Sequence, residues 1–322
     1  MSHVRLFIFA ALIISTPLFA AGKQDTALAA TYDAGSEEII KVAAFSSIVT
    51  EQTRAEQVMR ALAMAYPRRI TEVEFKDGDW AVRLRGQWYY YAEGKLLPEA
   101  WRSRSAEFSP QPFYPYPALL PEWKRPTKSE AARLAEAAKR RQNGGAADRA
   151  LFFYDAVWNI KNREEAWNQV KTIRFLGKSI LVHHGIMEEL ALVEQKINEA
   201  ARSDPAVRKW LSELSSIAAW NWRNIADIKT RSNHAYGVAV DILPNQKLYR
   251  SLEKYWLWAA KTNKEWWNVP YSRRYHPPQA VIKAFEAYGF VWGGKWAFYD
   301  TMHFEYRPEI LFLNGIEVNG EY

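Results

Sequence analysis

The chain has 322 residues, of which 48% are hydrophobic and 25% charged, with a formal net charge of +7 and a pI near 9.3. This composition is that of an ordinary globular protein, and the length allows one large domain or two modest ones. The absence of cysteine excludes disulfides, a thiol nucleophile and thiolate metal ligands. The positive charge favours anionic surroundings such as cell-wall polymers, lipid headgroups or nucleic acid, without choosing among them.

The N-terminus has the features of a secretory signal peptide. Arg5 precedes an apolar run that ends in small residues at Ala21, so we expect residues 1–21 to be removed, with stretch 27–30 as an alternative place for cleavage. An uncleaved anchor is the other interpretation, although a membrane span needs about 20 apolar residues. Later segments are too short or too polar to span. We therefore expect an exported, soluble protein without a stable membrane span after cleavage.

The N-terminal part is predicted to hold a helix and a small β-meander. Residues 36–65 place apolar side chains at helical spacing. Within 73–91 the pattern alternates around two turns and predicts three antiparallel strands. We assign 36–108 to a small domain. Residues 109–126 contain six prolines and are predicted to form an extended connector.

Residues 127–204 are predicted to be a helical region. A charged, alanine-rich helix covers 129–141, and several further helices follow, the last over about 186–201. The dipeptide Asp204-Pro205 then predicts the start of a helix over 207–219.

The C-terminal part, 205–322, is predicted to form one further domain. It mixes strands with helices, the strands at 237–243 and 302–306 and the helices at 248–261 and 278–288. The predicted fold class is α+β. A small C-terminal antiparallel sheet with flanking helices is preceded by the helical region and the small N-terminal meander.

Two short stretches carry the residues of a metal site. His234 and Asp241 lie in the first, and His303 lies in the second. A catalytic Zn²⁺ ion commonly has three protein ligands from His and carboxylate side chains and keeps a fourth position open for water. We expect His234 to come from a loop, Asp241 from a strand and His303 from a neighbouring strand. Ligands from three elements form a site open on one side, which suits catalysis better than a closed structural site.

A carboxylate beside such a site can move the proton of the attacking water to the leaving amine. Asp300, three residues before His303, is the candidate for this general base and acid. Glu305 is the alternative, because it shares strand parity with His303.

The motifs resemble those of a known family. Ser-x-His-x-x-Gly-x-Ala-x-Asp at 232–241, Trp-Gly-Gly-Lys-Trp at 292–296 and Asp-x-x-His-Phe-Glu at 300–305 resemble the zinc D-Ala-D-Ala carboxypeptidase and L-alanyl-D-glutamate endopeptidase family. Members include VanY-type carboxypeptidases and phage endolysins, and they cut peptidoglycan stem peptides. The resemblance covers roughly residues 205 to 310. It implies the site residues named above, the zinc ligands His234, Asp241 and His303, the base Asp300, and Ser232 near the substrate.

The resemblance also implies an arginine ahead of the first motif, which holds the substrate or the developing oxyanion. The segment Trp222-Arg223-Asn224-Ile225 is most similar to that part of the family. Arg223 is therefore the candidate for catalysis and substrate binding. Arg231 is the nearer but less similar alternative.

The remaining histidine, tryptophan and tyrosine residues are expected mainly to have structural roles. His183-His184 is not predicted as a metal pair, because adjacent residues on a helix point apart and no carboxylate pattern accompanies them. His276 is expected in a loop over or beside the cleft, where a substrate contact is the alternative to a purely structural role. Most of the 15 Trp and 17 Tyr side chains are expected to pack in or near the core, with stacking on glycan or peptide as the alternative.

We therefore expect an exported zinc-dependent peptidase of peptidoglycan stem peptides, similar to D-Ala-D-Ala carboxypeptidases, in the periplasm or cell-wall compartment of a bacterium. The C-terminal part, 205–322, is then the zinc peptidase domain, and its small antiparallel sheet carries the zinc site. An L-alanyl-D-glutamate or cross-link endopeptidase of the same family is the first alternative, since the sequence does not decide between a closed pocket and an open cleft. A non-catalytic, zinc-containing wall-binding module is the alternative of another class, and the presence of Asp300 argues against it. A nucleic-acid partner is not expected for an exported chain.

Overall fold

A computed structural model describes residues 51–142, 148–225, 230–262 and 265–319. The predicted signal peptide and the first half of the predicted helix over 36–65 lie outside these ranges. In the parts of the chain that are described, no helix is both long and apolar enough to cross a lipid bilayer.

The first described elements are one helix and a four-stranded antiparallel meander. Helix α1 covers residues 51–65 and buries Val58, Met59 and Leu62 in the same hydrophobic cluster as the meander. The three predicted strands are confirmed, and a fourth strand of only two residues was missed because so short a run has no periodicity to detect. In sheet order the strands are β1 (Ile70–Lys76), β2 (Asp79–Leu84), β3 (Gln87–Tyr90) and β4 (Leu97–Pro98).

The proline-rich segment is an extended connector, as predicted. Residues 110–126 contain neither helix nor strand. Buried Tyr116 fixes it to the C-terminal part, since its hydroxyl donates a hydrogen bond of 2.6 Å to Glu286. Helix α2 (Lys128–Gln142) follows and confirms the predicted helix over 129–141.

The helical region contains a β-hairpin that the sequence analysis missed. Residues 170–183 form two antiparallel strands instead of helix. Leu176 and Gly177 both have positive φ, 46° and 75°, in the two-residue turn that joins them. The predicted helices around the hairpin are present. In chain order the elements are α3 (Phe152–Trp158), α4 (Arg163–Gln169), β5 (Val170–Phe175), β6 (Lys178–His183) and α5 (Met187–Ser203).

The predicted helix over 207–219 is correct at its start and wrong in its second half. Helix α6 (Pro205–Ser212) begins as expected, with Pro205 in its first turn and the side chain of Asp204 accepting a hydrogen bond from the amide of Ala206. The chain then forms strand β7 (Leu214–Ala218). Backbone pairing with a neighbouring strand of the C-terminal sheet outweighs the local helical pattern in this segment.

The C-terminal sheet has four antiparallel strands in the order β7-β8-β10-β9. The predicted strands over 237–243 and 302–306 are present as β8 (Ala239–Pro244) and β10 (His303–Tyr306), whereas the short strand β9 (Phe290–Trp292) was not predicted. The predicted helix over 248–261 is divided in two, because the backbone of Glu253 pairs with the segment Arg273 to Tyr275. The elements are α7 (Asn233–Tyr236), β8 (Ala239–Pro244), α8 (Gln246–Ser251), α9 (Trp256–Thr262), α10 (Gln279–Ala287), β9 (Phe290–Trp292), β10 (His303–Tyr306) and α11 (Pro308–Leu313).

The fold is mixed α+β with small antiparallel sheets, and this prediction is confirmed. One hydrophobic cluster includes buried side chains from α1, the meander, α5 and the C-terminal sheet. Several large aromatic side chains are fully buried in the two main clusters, namely Trp158, Trp256, Trp266 and Trp292. The predicted domain boundaries stay a prediction.

The missed hairpin supports the segment that carries the first metal-site motif. The amide of His183, at the end of β6, donates a hydrogen bond of 2.8 Å to the carbonyl of Gly237. Gly237 ends α7 with φ of 74°, and a Cβ atom there would lie 2.8 Å from the His183 nitrogen. Glycine is therefore required twice at this position, for the left-handed backbone and for the close approach of the hairpin.

We expect Gly237→Ala to destabilise the fold more than Gly86→Ala does. Gly86 also has a positive φ, 80°, but a Cβ atom there would meet nothing within 4 Å, so Gly86→Ala carries only the backbone strain of about 1–2 kcal/mol. Gly237→Ala adds a clash with backbone atoms. Urea unfolding of both variants measures the difference, and equal losses of unfolding free energy would show that the close approach does not matter.

Candidate metal centre

His234 lies in the single-turn helix α7 rather than in the predicted loop. Buried Ser232 caps this helix, with its hydroxyl accepting a hydrogen bond of 3.3 Å from the His234 amide. The Nδ1 atom of His234 is 2.6 Å from the carbonyl oxygen of Ala219, directly after β7. A carbonyl can only accept, so Nδ1 carries the proton and Nε2 presents its lone pair to the site.

Asp241 and His303 are cross-strand neighbours. The register of β8 and β10 pairs them directly, and Asp241 Oδ1 lies 2.8 Å from His303 Nδ1. The other ring nitrogen of His303, Nε2, faces Glu305 Oε2 at 3.1 Å. The carboxylate of Glu305 accepts the Nε2 proton, which leaves Nδ1 as the ligating atom.

The three predicted ligands converge on one point. His234 Nε2 lies 3.2 Å from both His303 Nδ1 and Asp241 Oδ1. Bonds of 2.0–2.1 Å in tetrahedral geometry separate ligand atoms by roughly 3.4 Å, close to the observed spacing. The residues therefore fit a zinc ion, and within the described residues this trio is the group that could hold a metal.

The electrostatics of the group also suit a cation. Burial opposes charge on Asp241, but His234 and His303 hold its pKa well below its usual range. Burial likewise opposes charge on His303, but its hydrogen bonds to Asp241 and Glu305 raise its pKa well above normal. The side chain of His234 is only 3% exposed, whereas that of Asp241 is 22% exposed. Solvent can therefore reach the group from the side of Asp241.

Glu305 has partners on both oxygens. Besides His303, Oε2 accepts a hydrogen bond of 2.7 Å from Asn233 Nδ2, and Oε1 lies 3.7 Å from Arg307. Burial opposes its charge, but the hydrogen bond from His303 and the charge of Arg307 lower the pKa of Glu305 to about 2. This carboxylate meets the ring edge of His303 opposite the ligating nitrogen. The arrangement makes it an orienting partner of His303 and a poorer general base than Asp300.

Asp300 has the opposite character. Its Oδ1 atom is buried and has no hydrogen-bond partner among the residues that the structure describes. Burial and the negative charge of Asp241 raise the pKa of Asp300 to about 7, against smaller opposing effects of His303 and Arg223. The carboxyl group accepts a hydrogen bond from the backbone of Met302, so Oδ1 is the oxygen that remains available to receive and release a proton.

The two candidate arginines differ in what they contact. Arg231 forms an ion pair with Asp155, and its guanidinium lies 4.8 Å from the centre of the Trp222 ring. Arg223 is exposed, and among the described residues its side chain donates one hydrogen bond, of 3.3 Å to the carbonyl of Asn224; it also lowers the pKa of the nearby Asp300. Within the described part of the chain, Arg231 is thus held by the fold, whereas Arg223 has no charged partner. The role of Arg223 stays a prediction.

The other predicted site residues are placed as follows. Ser232 caps α7, and its predicted contact with substrate stays a prediction. His276 is exposed, with its ring centre 6.3 Å from that of Trp292, and its substrate contact is likewise untested. His183 ends β6, and His184 begins a single 3₁₀ turn (His184–Ile186); their rings are stacked, and His184 Nε2 lies 2.9 Å from the side-chain oxygen of Gln169.

Sequence reasoning missed the partners that orient the ligands. Glu305, Arg307 and Glu309 follow His303 at alternate positions, and all three are buried. Glu305 lies in β10, Arg307 follows the strand and Glu309 lies in the first turn of α11. Charged residues are rarely buried unless they are paired, so three of them close together between apolar residues could have indicated a polar network. The carbonyl of Ala219 carries no sequence signal, because any residue offers one.

Comparisons with known proteins agree with this placement. Residues 226–306 match the model of a family described as D-alanyl-D-alanine carboxypeptidase, about a quarter of the chain. The match contains the metal group, Ser232 and Asp300 but not Arg223. Residues 58–113 match a domain of unknown function. No curated protein and no solved structure matches the chain significantly. At this coarse level the resemblance to the peptidase family is confirmed for the C-terminal segment.

We expect Glu305→Gln to bind zinc about 10–100-fold more weakly than the unchanged chain, because a neutral amide orients and polarises His303 less well than a carboxylate. Asp300→Asn is the matched control and should bind zinc with nearly unchanged affinity. Titration against a zinc-competing chelator measures both. Equal affinities in the two variants would remove Glu305 from the metal centre.

We expect His183 to make the fold sensitive to acid. Burial lowers the pKa of His183 from 6.5 to about 3, and the ring stays neutral, with Nε2 at 2.9 Å from the carbonyl of Trp158. The unfolded chain takes up this proton near pH 6.5, so the folded chain loses stability as the pH falls from there towards 3. His183→Gln should give a shallower dependence of unfolding free energy on pH in that interval. An unchanged slope would contradict this assignment.

Proposed function

We propose that the chain is an exported zinc-dependent peptidase that hydrolyses peptide bonds in peptidoglycan stem peptides. The observation that carries the proposal is the convergence of His234, Asp241 and His303 inside the segment that matches the D-alanyl-D-alanine carboxypeptidase family. The unpartnered carboxylate oxygen of Asp300 beside this group adds the element that hydrolysis needs and that a structural site does not.

His234, Asp241 and His303 would hold the zinc ion through Nε2, Oδ1 and Nδ1. Zinc supplies Lewis-acid polarisation of a carbonyl and lowers the pKa of water towards about 7. The protein keeps the two imidazoles in the required tautomers through the carbonyl of Ala219 and the carboxylate of Glu305.

Asp300 would act as general base and then as general acid. Its buried Oδ1 accepts the proton of the attacking water and later donates it to the leaving nitrogen. Asp300 also has a fixed backbone, since its amide donates a hydrogen bond of 3.0 Å to the carbonyl of Gly293 and its carbonyl accepts one of 3.3 Å from the amide of His303. The proton-transfer group and one ligand are therefore positioned by the same turn.

Arg223 would bind an anionic part of the substrate. Its side chain is exposed. Its backbone carbonyl accepts a hydrogen bond of 3.1 Å from the amide of Ser232, which connects Arg223 to the start of α7. A guanidinium pairs bidentately with a carboxylate, and a stem peptide that ends in D-alanine offers one. The net charge of +7 adds a weaker, salt-screened attraction to the anionic cell wall.

The proposal includes export through the N-terminal apolar run and its removal, with the periplasm or cell wall as the compartment. Cleavage of the L-alanyl-D-glutamate bond or of a cross-link is the second candidate, and the exposure of Arg223 at the surface is the observation that favours it.

We expect Asp300→Ala to retain zinc and to lose most of the hydrolysis of muropeptides, about 100-fold or more, because the proton-transfer group is gone while the ligands remain. His303→Ala should lose both zinc and activity. Metal analysis and turnover of purified muropeptides are measured on the same preparations. Full hydrolysis by Asp300→Ala would overturn the assignment of the base and return Glu305 to that role.

Digestion of purified sacculi tests the reaction itself. Removal of the terminal D-alanine lowers the mass of a stem peptide by one alanine residue, whereas cleavage inside the stem or at a cross-link gives different fragments. Mass spectrometry of the products distinguishes these bonds. Intact sacculi after incubation with zinc-loaded protein, under conditions where a known peptidase cuts them, would contradict the proposed function.

A further inference from the structure

A second site lies apart from the metal group. A cavity of about 340 Å³ is enclosed by the segment after α1, the N-terminal end of α5 and the end of β10. His234, Asp241 and His303 do not line it. The volume is at the lower end of the roughly 300–1,000 Å³ that small-molecule sites occupy. The residues that define it chemically are Tyr66, Arg69, Trp158, Gly185, Glu189 and Tyr306.

Two arginines line this cavity, the exposed Arg68 and the half-buried Arg69. The guanidinium carbon of Arg69 lies 4.6 Å from the centre of the Trp158 ring, which fixes it by a cation–π contact. Gly185 makes room for Arg69, since a Cβ atom at Gly185 would lie 2.6 Å from Arg69 Nη2. Among the described residues the Arg69 side chain has no ion pair and no hydrogen bond to protein, and burial lowers its pKa. Five N–H donors are thus held in a cavity without a protein acceptor.

Two glutamates in the first turn of α5 line this cavity, the exposed Glu188 and the half-buried Glu189. Glu189 forms no ion pair with Arg69, although each shifts the pKa of the other. Burial raises the pKa of Glu189. Opposite charges that face one cavity without touching leave a gap that a ligand with both charges can bridge.

The walls between the charges are aromatic. Tyr66, Trp158 and Tyr306 present ring surfaces, and the hydroxyl of Tyr66 is already engaged in a hydrogen bond of 3.0 Å to Glu309. These rings offer apolar contact to a ligand and little competition for its polar groups. Water could hydrate Arg69, but a carboxylate gives shorter, charge-assisted and bidentate bonds to a guanidinium.

We propose that this cavity binds a free α-amino acid with an apolar side chain. The carboxylate of the ligand pairs with Arg69, its ammonium group pairs with Glu189, and its side chain contacts the rings of Tyr66, Trp158 and Tyr306. The inference does not depend on the proposed peptidase activity, because none of the residues that carry it belongs to the metal group.

Calorimetric titration of the full chain with three matched probes tests the proposal. Leucine carries both charges, 4-methylpentanoate lacks the ammonium group, and 3-methylbutylamine lacks the carboxylate. We expect leucine to bind at about 1 mM or tighter and both analogues at least 10-fold more weakly. Absence of leucine binding up to about 10 mM, or equal binding of leucine and 4-methylpentanoate, would overturn the proposal.

Variants locate the site. Arg69→Met should weaken leucine binding at least 10-fold. The control Arg83→Met removes a partly exposed arginine of β2, near the Trp88 ring, and should leave leucine binding unchanged. Glu189→Gln should weaken leucine and leave 4-methylpentanoate unaffected, and this second variant decides the matter if Arg69→Met does not fold. Unchanged leucine binding in Glu189→Gln, or in a folded Arg69→Met, would place the amino acid elsewhere.

Discussion

The cross-strand pair of Asp241 and His303 is the contact on which the site depends. Both residues lie in strands whose other side chains are largely buried, so the pairing register is fixed by the core and not by the ligands. A slip of one residue would turn one of the two side chains to the opposite face of the sheet. His234 then completes the group from α7, where Gly237 and the hairpin β5–β6 determine the end of the helix.

A buried polar network extends from this pair into the core. Glu305 orients His303, Arg307 lies between Glu305 and Glu309, and Glu309 accepts hydrogen bonds from Tyr66 and Tyr154. Burying so many charged groups costs free energy, and well-packed hydrophobic side chains of similar volume would stabilise the fold as well or better. The network instead holds the imidazole of His303 in one orientation, which ligation of a metal requires. It also reaches Tyr66, which lines the cavity that contains Arg69 and Glu189.

The sequence predicted the ligands because they depend on residue type and order, and it predicted the long elements because they have clear periodicity. The prediction from sequence failed where pairing with a distant segment decides the secondary structure. Residues 214–218 look helical in isolation and become a strand because β8 offers its edge. The hairpin over 170–183 was missed although Leu176-Gly177 marks its turn. Arg231 and Arg223 could not be separated from sequence, since their difference lies in Asp155, which is distant in the chain and adjacent in the fold.

The central claim is that three side chains distant in sequence bind one metal ion through defined atoms. Anomalous diffraction at the zinc edge from crystals of the zinc-loaded protein tests it most directly. The account predicts a single peak within bonding distance of His234 Nε2, Asp241 Oδ1 and His303 Nδ1. A map without a peak among these atoms, or with zinc between His303 Nε2 and Glu305, would contradict it.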